Sequence, residues 1–365
     1  MDAAVRNRIA ADYVAAFARE GAAPFIANLE TEVGLLEWGE HLLPITVNHG
    51  RAGRTFVCSP RIGYIDYPIE ELRHFPNKTV VPALHALIKS VGAVLSPCDI
   101  ARILHINNWM MSTNLPVDLD PALTRHKTDA LVAQYPAHFL AMRSLTRRHC
   151  SELMASLEDA GWIMLPSRQV FLVDDVAEQC LPRRDTRRDD RLWHHGAFAF
   201  EEPTEISEVD AARIVELYGM LYLEKYSRLN PDYTARFIAL THEIGLIRYL
   251  VLRDQEGTIQ AFGGMHRFGR HATMPLIGYN VGLDRKLGLY RLAFHAGSLY
   301  AAREKLLFNM SSGATAFKRN RGATAEMEFT AFYLRHLPIW RRYPFHLLRM
   351  VALNVGMPIL RRFQL

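Results

Sequence analysis

The stretch Phe308-Asn-Met-Ser-Ser-Gly-Ala-Thr-Ala-Phe-Lys-Arg-Asn-Arg-Gly322 decides the predicted fold and most of the predicted function. It follows an apolar run, turns at Ser312-Gly313, and places the pair Phe317-Lys318 four residues before a second glycine. Glycine lacks a Cβ, so it tolerates positive φ and lets the backbone approach a ligand closely. We therefore expect Lys318 to lie close to backbone and substrate, where its charge can stabilise a developing negative charge.

Regular hydrophobic patterns on both sides of this stretch predict alternating helices and strands. Before residue 180, they predict helices over 3–20, 79–95 and 144–160, and strands over 42–48, 54–66, 101–106, 162–165 and 168–173. After residue 203, they predict helices over 207–226, 232–243 and 286–304, and strands over 246–253, 258–268, 271–280, 306–310 and 326–334. This order predicts an α+β fold with a mixed, mostly antiparallel sheet flanked by helices. The similar rhythm of the two halves suggests a duplicated domain.

A change of composition separates the halves. Residues 174–203 contain a run of arginines and aspartates with few apolar residues, which is typical of an exposed loop or linker. A solvated charge run explains it best, and a phosphate-binding surface is the alternative. We divide the chain into a first domain over 1–180, a linker over 181–203, a second domain over 204–336 and a basic, apolar tail over 337–365.

The composition limits the class of protein. Among 365 residues, 49% are hydrophobic and 22% are charged, which is typical of a globular protein with a sizeable core. The net charge of +5 suits anionic ligands such as coenzyme A, nucleotides, tRNA or acidic lipid, without choosing among them. The four cysteines are far apart and form no C-x-x-C pair, so we expect no disulfide framework and no metal site. We also expect no secretion signal and no stretch of about 18 or more uncharged apolar residues, as a membrane-spanning helix needs.

Three segments carry a resemblance to a known family. They are the antiparallel run Ala261-Phe-Gly-Gly-Met-His266 with Pro275-Leu-Ile-Gly-Tyr279, the helix starting Gly288-Leu-Tyr-Arg-Leu-Ala293, and Ser312-Gly-Ala-Thr-Ala-Phe-Lys-Arg-Asn-Arg-Gly322. Over about residues 200–335 the chain resembles the acyl-CoA N-acyltransferase (GNAT) superfamily, in particular its Fem-like and BioF2-like branch with two tandem domains. The resemblance implies two tandem GNAT-like domains and transfer of an acyl group to an amine.

The resemblance also implies roles for individual residues. Lys318 would stabilise charge near the transferring group, and Phe317 would shape the pocket. The other implied donor-binding or substrate-binding residues are Gly313, Ser312, Gly322, Arg321, Arg285, Gly288 and Asn230. No tightly bound cofactor is implied, because acyl-CoA or an acyl carrier protein acts as a co-substrate. Tyr290 departs from the family pattern by crowding the pyrophosphate loop that starts at Arg285, and Arg321 predicts an unusually basic donor pocket.

Three further side chains are candidates for proton transfer. His266 lies on the strand equivalent to the one that carries acyl donors, where a histidine can act as a general base. Tyr222 and Tyr226 lie one helical turn apart, and a tyrosine hydroxyl can return a proton to a leaving thiolate. Packing in the core is the alternative role for all three.

The tail has a composition of its own. No acidic residue follows Glu328, and six arginines alternate with aromatic and aliphatic residues from Arg335 to Arg362. This composition is typical of a helix at an anionic membrane surface; the alternatives are a helix docked on the protein and a contact with tRNA phosphates. Gly356 and Pro358 should break the tail into two short helices.

The sequence therefore predicts an N-acyltransferase that uses an acyl thioester on coenzyme A or acyl carrier protein and acts on an amine. A long-chain or lipid-like substrate would suit the tail. One alternative is a Fem-like transferase that uses aminoacyl-tRNA, and another is a non-catalytic ligand-binding protein on a GNAT scaffold. We expect a cytoplasmic location, or a peripheral one at the inner face of the membrane.

Overall fold

The computed structural model describes residues 3–51 and 53–363. Its helices are α1 (Ala3–Glu20), α2 (Tyr67–Glu71), α3 (Val81–Leu95), α4 (Thr124–Gln134), α5 (Arg147–Asp159), α6 (Val176–Gln179), α7 (Arg184–His195), α8 (Glu208–Tyr218), α9 (Ala235–Glu243), α10 (Leu289–Arg303), α11 (Thr315–Asn320), α12 (Ile339–Val351) and α13 (Met357–Phe363). Its strands are β1 (Glu32–Trp38), β2 (His41–His49), β3 (Arg102–Ile106), β4 (Phe139–Thr146), β5 (Ile163–Val173), β6 (Ala199–Glu201), β7 (Ile247–Arg253), β8 (Ile259–Phe268), β9 (His271–Tyr279), β10 (Leu307–Asn309) and β11 (Thr324–Tyr333).

In the described ranges these strands form one sheet, in the order β1-β2-β3-β4-β11-β5-β10-β9-β8-β7-β6. Two neighbouring pairs, β3–β4 and β9–β10, are parallel and the others are antiparallel. Helices pack on both faces of this sheet. The predicted α+β class, with a mixed and mostly antiparallel sheet flanked by helices, is therefore confirmed.

The two halves of the sheet repeat one pattern of pairing and exchange their last strands. The series β1-β2-β3-β4 and the series β7-β8-β9-β10 both pair antiparallel, antiparallel and then parallel. Strand β5, from the first half of the chain, pairs with β10, whereas β11, from the second half, pairs with β4. Because β5 and β11 also pair with each other, residues from both halves meet at the centre of the sheet.

Alternation along β8 separates two hydrophobic clusters. Phe262 and Phe268 contribute to a cluster that includes helices α1, α8 and α9, whereas Ala261 and Met265 contribute to one that includes α10. Successive side chains of a strand point to opposite faces, which explains the division. The face that carries α10 also carries Phe308, next to the Phe317-Lys318 pair.

The segments 54–66 and 181–203 differ in local structure from the prediction. The segment 54–66 forms no strand; Ile62–Asp66 is a π-helical turn that leads into α2, since Ile62 and Ile65 bury the same face at helical spacing. The predicted linker over 181–203 contains α7, whose charges pair along the helix as in Asp185–Arg188. Its buried side chains, Thr186 and Asp189, fix it to the body of the protein.

The tail is helical without the predicted break. A π-helical turn over Ala352–Gly356 joins α12 directly to α13, so Gly356 and Pro358 do not separate them. Phe345 and Leu348 bury one side of α12 against α3 and the sheet.

One helical segment in the described residues is long and apolar enough, by length and composition, to cross a membrane. It covers Val81–Cys98 and has a mean hydropathy of 1.3. The segment contains Lys89, so it is not the uncharged apolar stretch whose absence the sequence analysis expects.

Candidate active site

The site begins where the parallel strands β9 and β10 separate. Their pairing ends at Asn309, opposite Thr273. The chain then passes through three residues with positive φ, Ser311, Gly313 and Ala314, before it enters α11. The motif is therefore a strained turn followed by a six-residue helix, and not the simple strand-to-strand turn that the sequence predicted. Strain of this kind is frequent at functional sites.

The helix α11 buries the side chain of Lys318, which is only 3% exposed. Its Nζ donates hydrogen bonds to the carbonyl oxygens of Ser311 (3.2 Å) and Ser312 (2.6 Å), and it lies 5.7 Å from the centre of the Phe171 ring. Burial, followed by the nearby charge of Arg168, lowers the pKa of Lys318 to about 7. Near neutral pH this amine is therefore present both with and without its extra proton.

The closing glycine of the motif allows the end of α11 to pack closely against the first half of the chain. Gly322 has a φ of +88°, and a Cβ there would collide with the carbonyl oxygen of Gln179. Gly313 has a similar φ of +75° but open space around it. A side chain would therefore cause a steric clash at Gly322 but not at Gly313.

We expect Gly322→Ala to lower the free energy of unfolding by about 3 kcal/mol or more, because it adds a steric collision to an unfavourable φ. Gly313→Ala is the matched control and should cost only about 1 kcal/mol, because the unfavourable φ acts alone. Denaturant melts of both variants measure the difference. Equal losses would contradict a steric role for Gly322.

An arginine from β5 reaches the same turn. Arg168 donates from Nε to Oε1 of Glu328 (2.8 Å), and from Nη2 to the carbonyl oxygen of Ser112 (2.7 Å) and to Oγ1 of Thr113 (2.8 Å). The Glu328 side chain is almost fully buried, so the pair compensates a charge that water does not reach. Thr113 Oγ1 in turn lies 3.3 Å from Ser311 Oγ, next to the residues that bind Lys318.

Sequence reasoning missed this ion pair. Arg168 belongs to the first half of the chain and Glu328 to the second, and only the exchange of β5 and β11 brings them together. The available signal was the polar group Ser-Arg-Gln over 167–169, which interrupts an otherwise apolar strand.

A group of tyrosines forms the next part of the site. Tyr222 is half-buried, stacks on Tyr218 at 4.8 Å, and has its ring centre 6.0 Å from that of Tyr226, which is 42% exposed. Burial raises the pKa of Tyr222 far above its usual value, with smaller effects from Tyr290 and Tyr226. The Tyr222 hydroxyl therefore stays protonated at neutral pH, as a proton donor must.

Asn230 fixes the end of the π-helical segment Gly219–Tyr226, which follows α8 and carries Tyr222 and Tyr226. Its Nδ2 donates to the carbonyl oxygens of Tyr222 (3.1 Å) and Ser227 (2.9 Å). The side chain therefore has a positioning role in the structure, whereas the sequence predicted a role in binding substrate.

The first half of the chain supplies two more groups that sequence reasoning missed, both from α2. Burial raises the pKa of Tyr67, whose hydroxyl interacts with the side chain of Asn230, and the charges of Glu71 and Arg168 also act on it. Burial likewise raises the pKa of Glu71, although Arg168 acts in the opposite direction. The site thus combines Lys318 with groups from both halves.

The predicted donor loop has an unexpected neighbour in α7. Gly288 has a φ of +65° and forms the N-cap of α10, and a Cβ on it would lie 2.6 Å from Cδ2 of Leu192. Asp189, which is 1% exposed, accepts hydrogen bonds from Arg291 (2.6 Å) in the first turn of α10 and from Arg321 (2.7 Å). The protein therefore places its own carboxylate beside this helix end.

The remaining predicted donor residues lie around α7 and α10. Arg321 is buried, and its guanidinium carbon lies 3.5 Å from the centre of the Phe317 ring. Asp189 pairs with this arginine as well as with Arg291, so one carboxylate is shared between two guanidinium groups. Tyr290 packs 5.0 Å from Phe317, and Arg285 is exposed.

His266 lies apart from this group. It is fully buried, with Nδ1 3.0 Å from the carbonyl oxygen of Leu246 and its ring beside those of Trp109 and Phe268. Burial lowers its pKa to about 4. These contacts are on the face of β8 opposite to Met265, so the structure does not bring His266 together with Lys318.

No protein-family model and no curated protein sequence matches the chain. Solved structures with a similar fold include L-PGS from Bacillus licheniformis, at 14% identity and a TM-score of 0.47, covering 64% of this chain and 78% of that one. They also include FemX, at 9% identity and a TM-score of 0.48, covering 63% and 81%. A tandem GNAT protein from the clavulanic acid biosynthesis pathway matches at 13% identity and a TM-score of 0.37, covering 63% and 75%. These similarities are too weak to establish a family or an activity.

Proposed function

We propose that the protein is a GNAT-type transferase that moves an acyl or aminoacyl group to an amine beside Lys318. The observation that carries this proposal is the buried amine of Lys318, with a pKa of about 7, at the point where β9 and β10 separate. A buried amine that titrates near neutral pH is typical of a group that transfers protons.

The hydrogen bonds of Lys318 suit a general base. A neutral amine has two N–H groups and one lone pair, and the carbonyl oxygens of Ser311 and Ser312 accept both hydrogens. The lone pair then remains to take a proton from the attacking amine. This assignment modifies the role expected from the sequence, in which a permanent cation stabilises charge.

We assign the return of a proton to the leaving group to the tyrosines. Tyr226 is exposed and lies on the same helical segment as Tyr222, whose environment includes Arg168 and Tyr290. A hydroxyl in this position can protonate a thiolate or a ribose oxygen as it leaves. The geometry therefore supports Tyr226 as the proton donor and Tyr222 as its packed neighbour.

The donor in this proposal is an acyl thioester on coenzyme A or an acyl carrier protein. A second candidate is an aminoacyl-tRNA, and the position of α7 favours it. A helix N-terminus is a favourable site for phosphate, but at α10 Leu192 covers Gly288 and Asp189 pairs with Arg291. A donor whose phosphates bind elsewhere, on tRNA or a carrier protein, fits this arrangement better than free coenzyme A.

A panel of donors tests the proposal. We expect one of acetyl-CoA, palmitoyl-CoA, acyl carrier protein loaded with an acyl chain, or a mixture of aminoacyl-tRNAs to raise the melting temperature by several degrees, since a ligand at 100 times its Kd stabilises by about 2.7 kcal/mol. Native mass spectrometry should detect the same complex. Uncharged tRNA and unloaded carrier protein are the controls.

The result separates three functions. A shift with aminoacyl-tRNA alone selects the second candidate, and a shift with acyl thioesters selects the first. Tight binding of one of these molecules, with no consumption of it in the presence of primary amines, would show a non-catalytic binding protein and would overturn the proposal.

A further inference from the structure

Large exposed apolar side chains are concentrated on one part of the molecule, formed by α3 and α12 with the residues that flank them. We call this part the basic apolar face and define it by residues 76–98 and 335–350. It carries six of the eleven large hydrophobic side chains that are exposed in the described residues: Val80, Val94, Ile339, Trp340, Tyr343 and Met350. The two helices contact each other, so these side chains lie on neighbouring elements of the fold.

The helix α3 is the more unusual of the two. Its apolar segment Val81–Cys98 passes the length and composition test for a membrane span, yet only 22% of it is buried. It does not cross a membrane in this fold, because it connects β2 to β3, and these strands are paired from Ile45–Ile106 to His49–Arg102. A single crossing would place two paired strands on opposite sides of a bilayer about 30 Å thick.

The charge of this face decides what can cover it. Residues 76–98 and 329–365 contain no aspartate or glutamate. The neighbouring Asp99 is paired with Arg102 at 2.8 Å. The face contributes Lys78, Lys89 and Arg342 as cations, so a second copy of the chain would bring like charges together. An anionic surface is complementary to it.

We propose that the basic apolar face binds the surface of an anionic lipid bilayer, with α3 and α12 lying in the plane of the interface. Trp340 and Tyr343, 56% and 74% exposed, are the residue types that concentrate at the boundary between headgroups and acyl chains. The opposite side of α12 is fixed by Phe345 and Leu348 and stays with the protein.

The tail contributes less charge than its composition suggests. Arg341 is 5% exposed and donates to the carbonyl oxygens of Cys98 (2.8 Å), Ala137 (2.6 Å) and Asp99 (3.1 Å). It therefore holds α12 in place and is not available to lipid. Lys89, exposed on α3, is the better site for a charge variant.

Co-sedimentation of the full chain with vesicles tests the proposal. We expect binding to vesicles of phosphatidylglycerol and phosphatidylcholine, little binding to phosphatidylcholine alone, and weaker binding as salt is added. Lys89→Glu should weaken binding about fivefold or more, since each basic residue near an anionic surface contributes about 1 kcal/mol. Trp340→Ala with Tyr343→Ala should weaken it about tenfold or more, through loss of apolar contact.

Two matched variants serve as controls. Arg8→Glu reverses an exposed charge on α1, and Val209→Ala removes an exposed apolar side chain on α8; both should bind vesicles like the wild type. Circular dichroism melts confirm that all variants fold. The proposal is wrong if the variants in the basic apolar face bind like the wild type. It is also wrong if light scattering shows that Trp340→Ala with Tyr343→Ala converts a dimer to a monomer, because a second copy would then cover the face. Neither readout depends on the proposed transfer activity.

Discussion

Replacement of Lys318 by methionine is expected to lower the rate of group transfer by about 10²- to 10⁴-fold, the usual contribution of a positioned general base. Methionine has a similar length and keeps most of the packing against Phe171. The rate should be measured with the donor that the binding panel identifies and a primary amine acceptor. Donor binding should change little, because the loss is in the chemical step.

The pH dependence of the wild type distinguishes the two roles of Lys318. A general base acts when it is deprotonated, so the rate should rise with pH through the pKa of about 7. If the protonated lysine instead stabilises negative charge, the rate should fall over the same range. The second result would exclude the proposed proton transfer while leaving the site itself in place.

The same titration predicts a change in stability. The pKa of Lys318 is about 7 in the folded protein, and the usual value for the unfolded chain is about 10.4. Between these values the unfolded state binds more protons, so the free energy of unfolding of the wild type should rise with pH over this range. Lys318→Met lacks this contribution. Relative to the wild type, it should therefore be most stable below pH 7 and lose that advantage towards pH 10, which denaturant melts at several pH values can measure.

Much of the second half of the fold follows from local patterns. The strands β7, β8 and β9 alternate regularly and turn at glycines, so their bounds differ from the prediction by only a few residues. The first half was harder to predict. Strand β4, in which seven of eight residues are buried, carries no polar alternation and was not predicted; its last three residues, 144–146, fall in the helix predicted over 144–160.

The sequence indicates the candidate site most clearly where one short stretch carries it. Phe317 and Lys318 could be found from sequence because the glycines around them constrain the backbone. Arg168 and Glu71 could not, because they are far from Lys318 along the chain, and nothing local reveals that β5 and β11 exchange places. Asp189 could not be identified for a related reason: the charged residues around it in the sequence are typical of an exposed loop.

The ion pair between Arg168 and Glu328 supports the second large prediction. Arg168→Met should lower the free energy of unfolding by about 3–5 kcal/mol, because it leaves the buried Glu328 carboxylate without its counter-charge. Adding Glu328→Leu should restore much of the stability, since two apolar side chains can replace a buried ion pair. Arg148→Met is the matched control. It breaks an arginine–carboxylate pair with Asp174 that is about one-third exposed and should cost at most about 1 kcal/mol.

Arg168→Met also tests whether the charge of Arg168 lowers the pKa of Lys318. After burial, the charge of Arg168 is the main cause of the lowered pKa of Lys318. In Arg168→Met the lysine loses a repulsive charge and faces an unpaired carboxylate, so its pKa should rise and the rate profile should move about one unit to higher pH. The double variant, Arg168→Met with Glu328→Leu, lacks the carboxylate as well, so its rate profile should move less. A profile that stays at the wild-type pH in the folded single variant would show that the two groups are not coupled, and Lys318 would then owe its pKa to burial alone.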